Sequence, residues 1–147
     1  MKLILAMILM LFSLNSFSGE GTGVGFMLGN PTGLNAKHWL NSSQAVDGAI
    51  GFSLGRTTNF SIHSDYLFHK AGAFYFNDVH PLDLYYGLGG RMEFDDQMDL
   101  GLRVPIGLVH QLDNDSADIF AEVAPILDFI GRNGVEVHLA IGGRYYF

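Results

Sequence analysis

The chain has 147 residues, 48% of them apolar and only 16% charged, and a formal net charge of −7. That length suits one domain with one core, and so few Lys and Arg leave little from which to build a nucleic-acid groove or a polybasic membrane patch. The lack of cysteine excludes disulfides, thiolate metal sites and attachment to lipid through a cysteine.

Met1 and Lys2 give a short positive start, Leu3 to Phe12 an unbroken apolar run, and Ser13 to Ser18 a stretch with small residues one and three before Ser18's far side. This is the order of a secretory signal peptide with a cut after Ser18. The apolar run is about ten residues, against the ~20 a membrane-spanning helix needs. Residues 1–18 are therefore expected to be a signal peptide and 19–147 a single mature domain. No later segment approaches 18 consecutive apolar residues.

Beyond that point the period is two. Gly21–Gly29 and Leu34–Asn41 alternate weakly, and Ala45–Leu54 sets Val46, Ile50, Phe52 and Leu54 against Asp47, Gly51 and Ser53. Asn59–His69 sets Phe60, Ile62, Tyr66 and Phe68 against His63, Asp65 and His69. After a longer connection, about Ala71–His80, the segment Pro81–Phe94 opposes Leu82, Leu84, Tyr86, Leu88, Met92 and Phe94 to Asp83, Tyr85, Arg91 and Glu93. Met98–Leu112, Ala117–Ile130 and Val135–Phe147 repeat the pattern. In the last of these, Val135, Val137, Leu139, Ile141, Tyr145 and Phe147 share one face, and Glu136, His138 and Arg144 share the other. A strand separates such sets onto two faces, whereas a helix would mix them.

Turn residues punctuate these runs: Asn30–Gly33, Asn41–Ser43, Arg56–Thr58, Asp95–Gln97, Asp113–Ser116 and Gly131–Gly134. Gly, Asn and Asp tolerate the left-handed conformations of tight hairpins. The expected fold is all-β: one antiparallel up-and-down barrel of about eight strands.

Alternation alone does not say which face is inside. Three features point to an apolar exterior. The strands are expected to run 9–14 residues, the 9–11 of a membrane crossing rather than the five or six usual in soluble sheets. The polar face interleaves both signs: Lys37, Asp47, Asp65, Arg91, Glu93, Asp99, Arg103, Asp118, Glu122, Asp128, Glu136 and Arg144. Such groups can neutralise one another across a narrow interior, where an unpaired charge is costly. Aromatics near strand ends (Phe26, Trp39, Tyr66, Phe68, Phe94, Phe129, Tyr145 and Phe147) suit interfacial girdles.

The final strand, ending Tyr145-Tyr146-Phe147, resembles the C-terminal signature of bacterial outer-membrane barrels, and the whole of residues 19–147 resembles the small OmpA/OmpX-type barrels in its periodicity. The resemblance implies a bacterial outer-membrane location, contact with outer-membrane lipid, and recognition of Tyr145 and Phe147 by the barrel-assembly machinery. The loops facing outward would be those near 30–33, 55–58, 95–97 and 131–134, all short, so a ligand-catching crown is not expected.

Other motifs are weaker. Gly21–Gly25 and Gly87–Gly90 look like phosphate loops but lead into no helix. His63, Asp65 and His69 share a face yet are spaced about 7 and 13 Å apart at ~3.3 Å per residue, so without partners from other strands they read as a polar lining. Ser61, His63 and Asp65 are likewise too spread along one strand for a proton relay. An eight-stranded interior is just wide enough for side chains, which argues against a wide pore. The expected function is a non-enzymatic, structural or lipid-organising membrane barrel with no cofactor and no metal, an internal ion-pair network, and lateral association between copies as an option. A lipid-modifying enzyme and a soluble periplasmic barrel with an apolar ligand are the alternatives.

Overall fold

The computed structural model describes residues 21–53, 59–112 and 116–147. Nine strands account for most of them: β1 (Thr22–Gly29), β2 (Thr32–Trp39), β3 (Gln44–Ser53), β4 (Asn59–Phe76), β5 (His80–Phe94), β6 (Met98–Arg103), β7 (Ile106–Gln111), β8 (Ala117–Ile130) and β9 (Gly134–Tyr146). All pairings are antiparallel, in the order β4-β3-β2-β1-β9-β8-β6-β5, and the β4–β5 pairing closes the ring. The signal-peptide segment and the turns expected at 56–58 and 113–115 lie outside the described residues.

The nine strands fill eight places in the wall. β6 and β7 have the same two neighbours, β5 and β8. Their registers also match: Arg103 faces Gly89 and Ile126, and Ile106 faces Tyr86 and Val123, so nothing slips between them. The expected single strand Met98–Leu112 is thus one strand interrupted at Val104–Pro105. Pro105 has no N–H for the ladder, but its carbonyl accepts from Gly87 N at 3.0 Å and Val104 N donates to Pro125 O at 3.0 Å. The wall stays sealed across the break.

Two other boundaries differ from the periodicity. β1 begins at Thr22, and β2 has eight residues but starts two residues before Leu34 and ends at Trp39. The supposed connection Ala71–His80 is mostly strand: β4 runs on to Phe76 and β5 begins at His80, with a register shift between Lys70 and Phe74. The hairpin turns at Asn77 and Asp78, both at positive φ (52° and 56°), and Val79 N bonds Phe76 O. Asn and Asp are the non-glycine residues that tolerate this conformation best. Phe74, Tyr75, Phe76 and Val79 near its tip are 54–71% exposed.

Side chains sort by parity. Phe60, Ile62, Tyr66 and Phe68 on β4 point out, and Ser61, His63, Asp65 and Leu67 point in and are buried. β9 does the same with Val137, Leu139 and Ile141 against His138, Ala140 and Arg144. Inward glycines make room for large neighbours. A Cβ on Gly23 would meet the Tyr146 ring at 2.6 Å and one on Gly142 the Phe120 ring at 2.6 Å, and Gly107 stands equally close to the Tyr85 ring. Small positions facing bulky ones fill a narrow barrel without overpacking. A waist of Met27, Ala49, Leu67, Tyr85, Val109, Phe120 and Ala140 forms its apolar core.

Candidate functional site

The lumen is charged along most of its length, and three arginines organise it. One end of the ring carries the turns at 30–31, 95–97 and 131–133 and is called the upper end here; the lower end carries the turns at 40–43 and 77–79.

Near the upper end, β5 points Arg91 inward. Its Nη2 donates to both oxygens of Asp128 at 2.7 and 2.8 Å, and its Nη1 lies 2.9 Å from Glu93, 2.9 Å from Glu136 and 3.0 Å from His138 Nε2. Arginine has only donors, so His138 accepts. Asn59 Nδ2 adds a bond to Glu93 at 2.8 Å. Glu93, Glu136 and His138 could by composition hold a metal ion, but the Arg91 guanidinium already stands among all three.

In the middle, Arg103 on β6 reaches Asp65 on β4 through Nε at 2.9 Å, and Glu122 on β8 through Nη2. Tyr85 donates its hydroxyl to Glu122 at 2.8 Å. Towards the lower end, Arg144 on β9 bonds Asp118 at 3.0 Å and Asn35 at 3.1 Å, stacks over the Phe120 ring at 4.2 Å, and lies 3.9 Å from Asp47. Tyr146 donates to the other oxygen of Asp118 at 2.6 Å. Multiple charge-assisted bonds of this kind are what makes a buried charge tolerable.

Each of the twelve charged residues expected inside lies on the inner face; eleven are buried and Glu136 is half-buried. They do not all form ion pairs. Asp99 accepts from the Arg132 backbone N at 2.8 Å. Lys37 has no carboxylate in salt-bridge range among the described residues; its Nζ sits 2.7 Å from His69 Nε2 and 4.2 Å from the centre of the Trp39 ring. Trp39 is therefore not an outer girdle residue. It shares the inward parity of Asn35 and Lys37, and its ring lies 4.4 Å from that of His69. Tyr145 and Phe147 point outward, 61% and 64% exposed.

Asp47 and Asp65 face one another on neighbouring strands. Ligand atoms of Asp47, His63 and Asp65 lie within 4.8 Å of one another. His63 Nε2 is 3.8 Å from Asp65 Oδ2, and His69, which the spacing groups with them, joins Lys37 instead. Asp47 Oδ1, His63 Nδ1 and Ser61 Oγ are buried and have no hydrogen-bond partner among the described residues.

Periodicity put Tyr85, Ala140 and Tyr146 on the polar side, but did not single out Asn35 or the remaining waist residues Met27, Ala49, Leu67, Val109 and Phe120. Parity was the available signal: Leu67, Val109 and Phe120 all fall on the polar side of their strands. No family model, no curated protein and no solved structure matches this chain.

Proposed function

We propose that the chain is an integral bacterial outer-membrane β-barrel, exported with a cleaved signal peptide, whose role is structural or lipid-organising rather than catalytic. The observation that carries this reading is the inversion of the ring. Its outer face holds Phe26, Ile50, Leu88, Ile119, Leu139 and Ile141 at 47–70% exposure, while Arg91, Arg103, Arg144 and their acids are buried within. In water that arrangement would expose a continuous apolar belt and hide the charges. In a bilayer it is the favourable one, and a closed ring leaves no backbone edge in lipid.

The same inversion disfavours a soluble barrel with an apolar ligand, because the apolar face encloses nothing. A furrow of about 490 Å³ lies on the outer wall, where Leu28, Leu84, Leu108 and Ile141 surround the small Ala121. Its shape suits acyl chains, consistent with outer-membrane lipid as the partner. The barrel size agrees with an OmpA/OmpX-type architecture, and the filled lumen with a wall rather than a wide channel.

The residues a lipid enzyme would need are either sealed inside the ring or hydrogen-bonded on its wall. Ser61, His63 and Asp65 are buried inside the ring. Of the outward polar groups, Ser64 Oγ donates to Asp47 O, His38 pairs with Thr22, and His110 with Pro81 O.

Membrane fractionation tests the reading, combined with electrophoresis before and after boiling in detergent. An outer-membrane band that migrates differently when unboiled is the expected result. A periplasmic product recovered without detergent, with no shift on boiling, would refute it.

A further inference from the structure

Counted as fully ionised, the lumen holds more acids than cations. Among its buried residues four cations, Lys37, Arg91, Arg103 and Arg144, face seven carboxylates. At the upper end Arg91 serves three acids at once, and Arg144 answers Asp118. Compensation runs short at Asp99, which has no cation in salt-bridge range among the described residues, and in the middle, where Asp65 and Glu122 share Arg103 and Asp47 has Arg144 at 3.9 Å. Asp47 and Asp65 are register partners, and like charges directly opposite each other on paired strands repel.

We propose that Asp47, His63 and Asp65 form a binding site for one divalent first-row transition ion, of which Zn²⁺ is the natural probe. Two independent observations support the site, and its donor types suit the ion. The donor atoms converge within 4.8 Å. Asp47 Oδ1 and His63 Nδ1, on residues 5% and 3% exposed, have no hydrogen-bond partner among the described residues, although buried polar atoms are normally satisfied. The donors, one imidazole and two carboxylates, are of the kind Zn²⁺ accepts. Arg103 flanks the position, its Nε reaching both oxygens of Asp65 at 2.9 and 3.2 Å, and an ionised carboxylate has enough lone pairs to accept a guanidinium and bind an ion together. A dication would balance the excess charge of the middle tier and join β3 to β4 inside the ring.

The test uses the purified folded chain without a polyhistidine tag. His80 and His110 have their rings 5.5 Å apart, a pair able to bind metal adventitiously at the outer wall, so the measurement is made on the H80A/H110A variant. After equilibration with Zn²⁺ and removal of excess, elemental analysis is expected to find one ion per chain, lost in His63→Gln and kept in Glu136→Gln. Should His63→Gln fail to fold, Cu²⁺ bound to the H80A/H110A chain provides the same information by electron paramagnetic resonance, where coupling to a single nitrogen is expected. No retained ion, or a Cu²⁺ signal with no nitrogen or with two, would overturn the proposal. So would Asp47→Asn stabilising a chain that binds no metal, which would mean that a shared proton neutralises the pair.

Discussion

Gly89 and Asp65 are register partners on β5 and β4, and the Cβ that Gly89 lacks is the space into which the Asp65 carboxylate folds. Its neighbour Gly90 faces the other way, where an added Cβ would have nothing nearer than Gly101 O at 3.9 Å. Two adjacent glycines therefore have unlike roles. Gly89→Ala is expected to destabilise the barrel by about 1–3 kcal/mol, the usual cost of overpacking, and Gly90→Ala to leave it nearly unchanged. Urea titration followed by the fluorescence of the only tryptophan, Trp39, measures both. Equal effects would mean that the two faces are misassigned.

Among the described residues, Arg103 alone closely pairs both Asp65 and Glu122. Arg103→Met strands both carboxylates in the interior, and removing one side of a buried pair costs about 3–5 kcal/mol. The expected sign is loss of stability, and adding Asp65→Asn and Glu122→Gln should recover most of it. If the triple variant were no more stable than Arg103→Met alone, the pairing would not be what Arg103 contributes.

Lys37 presents the opposite case. With His69 and an aromatic ring as its neighbours instead of a carboxylate, Lys37→Met strands no charge. It should change stability by less than about 1 kcal/mol, since exchanging buried charge for apolar volume is often neutral. Loss of the cation over the ring should alter Trp39 emission in the folded state. Large destabilisation would show that Lys37 is paired more strongly than its contacts indicate.

The outer wall offers a direct test of what surrounds it. Leu139→Arg lies midway along β9 on the outward face, 64% exposed. In lipid an arginine near the midplane costs about 2–4 kcal/mol, whereas on a solvated surface it is nearly neutral. Refolding yield into vesicles, compared with His138→Gln on the inner face, distinguishes the two environments. An unimpaired Leu139→Arg would contradict the membrane proposal.

Much of the fold was readable from parity. The strands, the turns at 41–43, 95–97 and 131–134, and the inward placement of all twelve charged residues follow from a period of two. What escaped it needed information across strands. Trp39 looks like a girdle aromatic by type, but its parity with Lys37 places it inside. The run expected as a connection, Ala71–His80, is strand on both sides of a three-residue turn at Asn77–Val79, where Asn and Asp tolerate positive φ. The pairing of Asp47 with Asp65 depends on register, which no single strand encodes. Which acid each arginine chooses depends on the barrel's curvature and stagger.

The longest of the arginine contacts spans most of the chain: Arg144 on the last strand bonds Asn35 on the second, 109 residues earlier. Arg91 similarly waits for Asp128 and Glu136, which β8 and β9 deliver. Until the final hairpin docks, Arg91 has only Glu93 of its acids and Asn35 lacks Arg144, and an open sheet must keep these groups hydrated. Desolvation of the interior and seam closure are thereby bound into one late event. A chain arrested before that event would keep a wet, expandable channel, and leakiness during biogenesis would measure how far closure had gone.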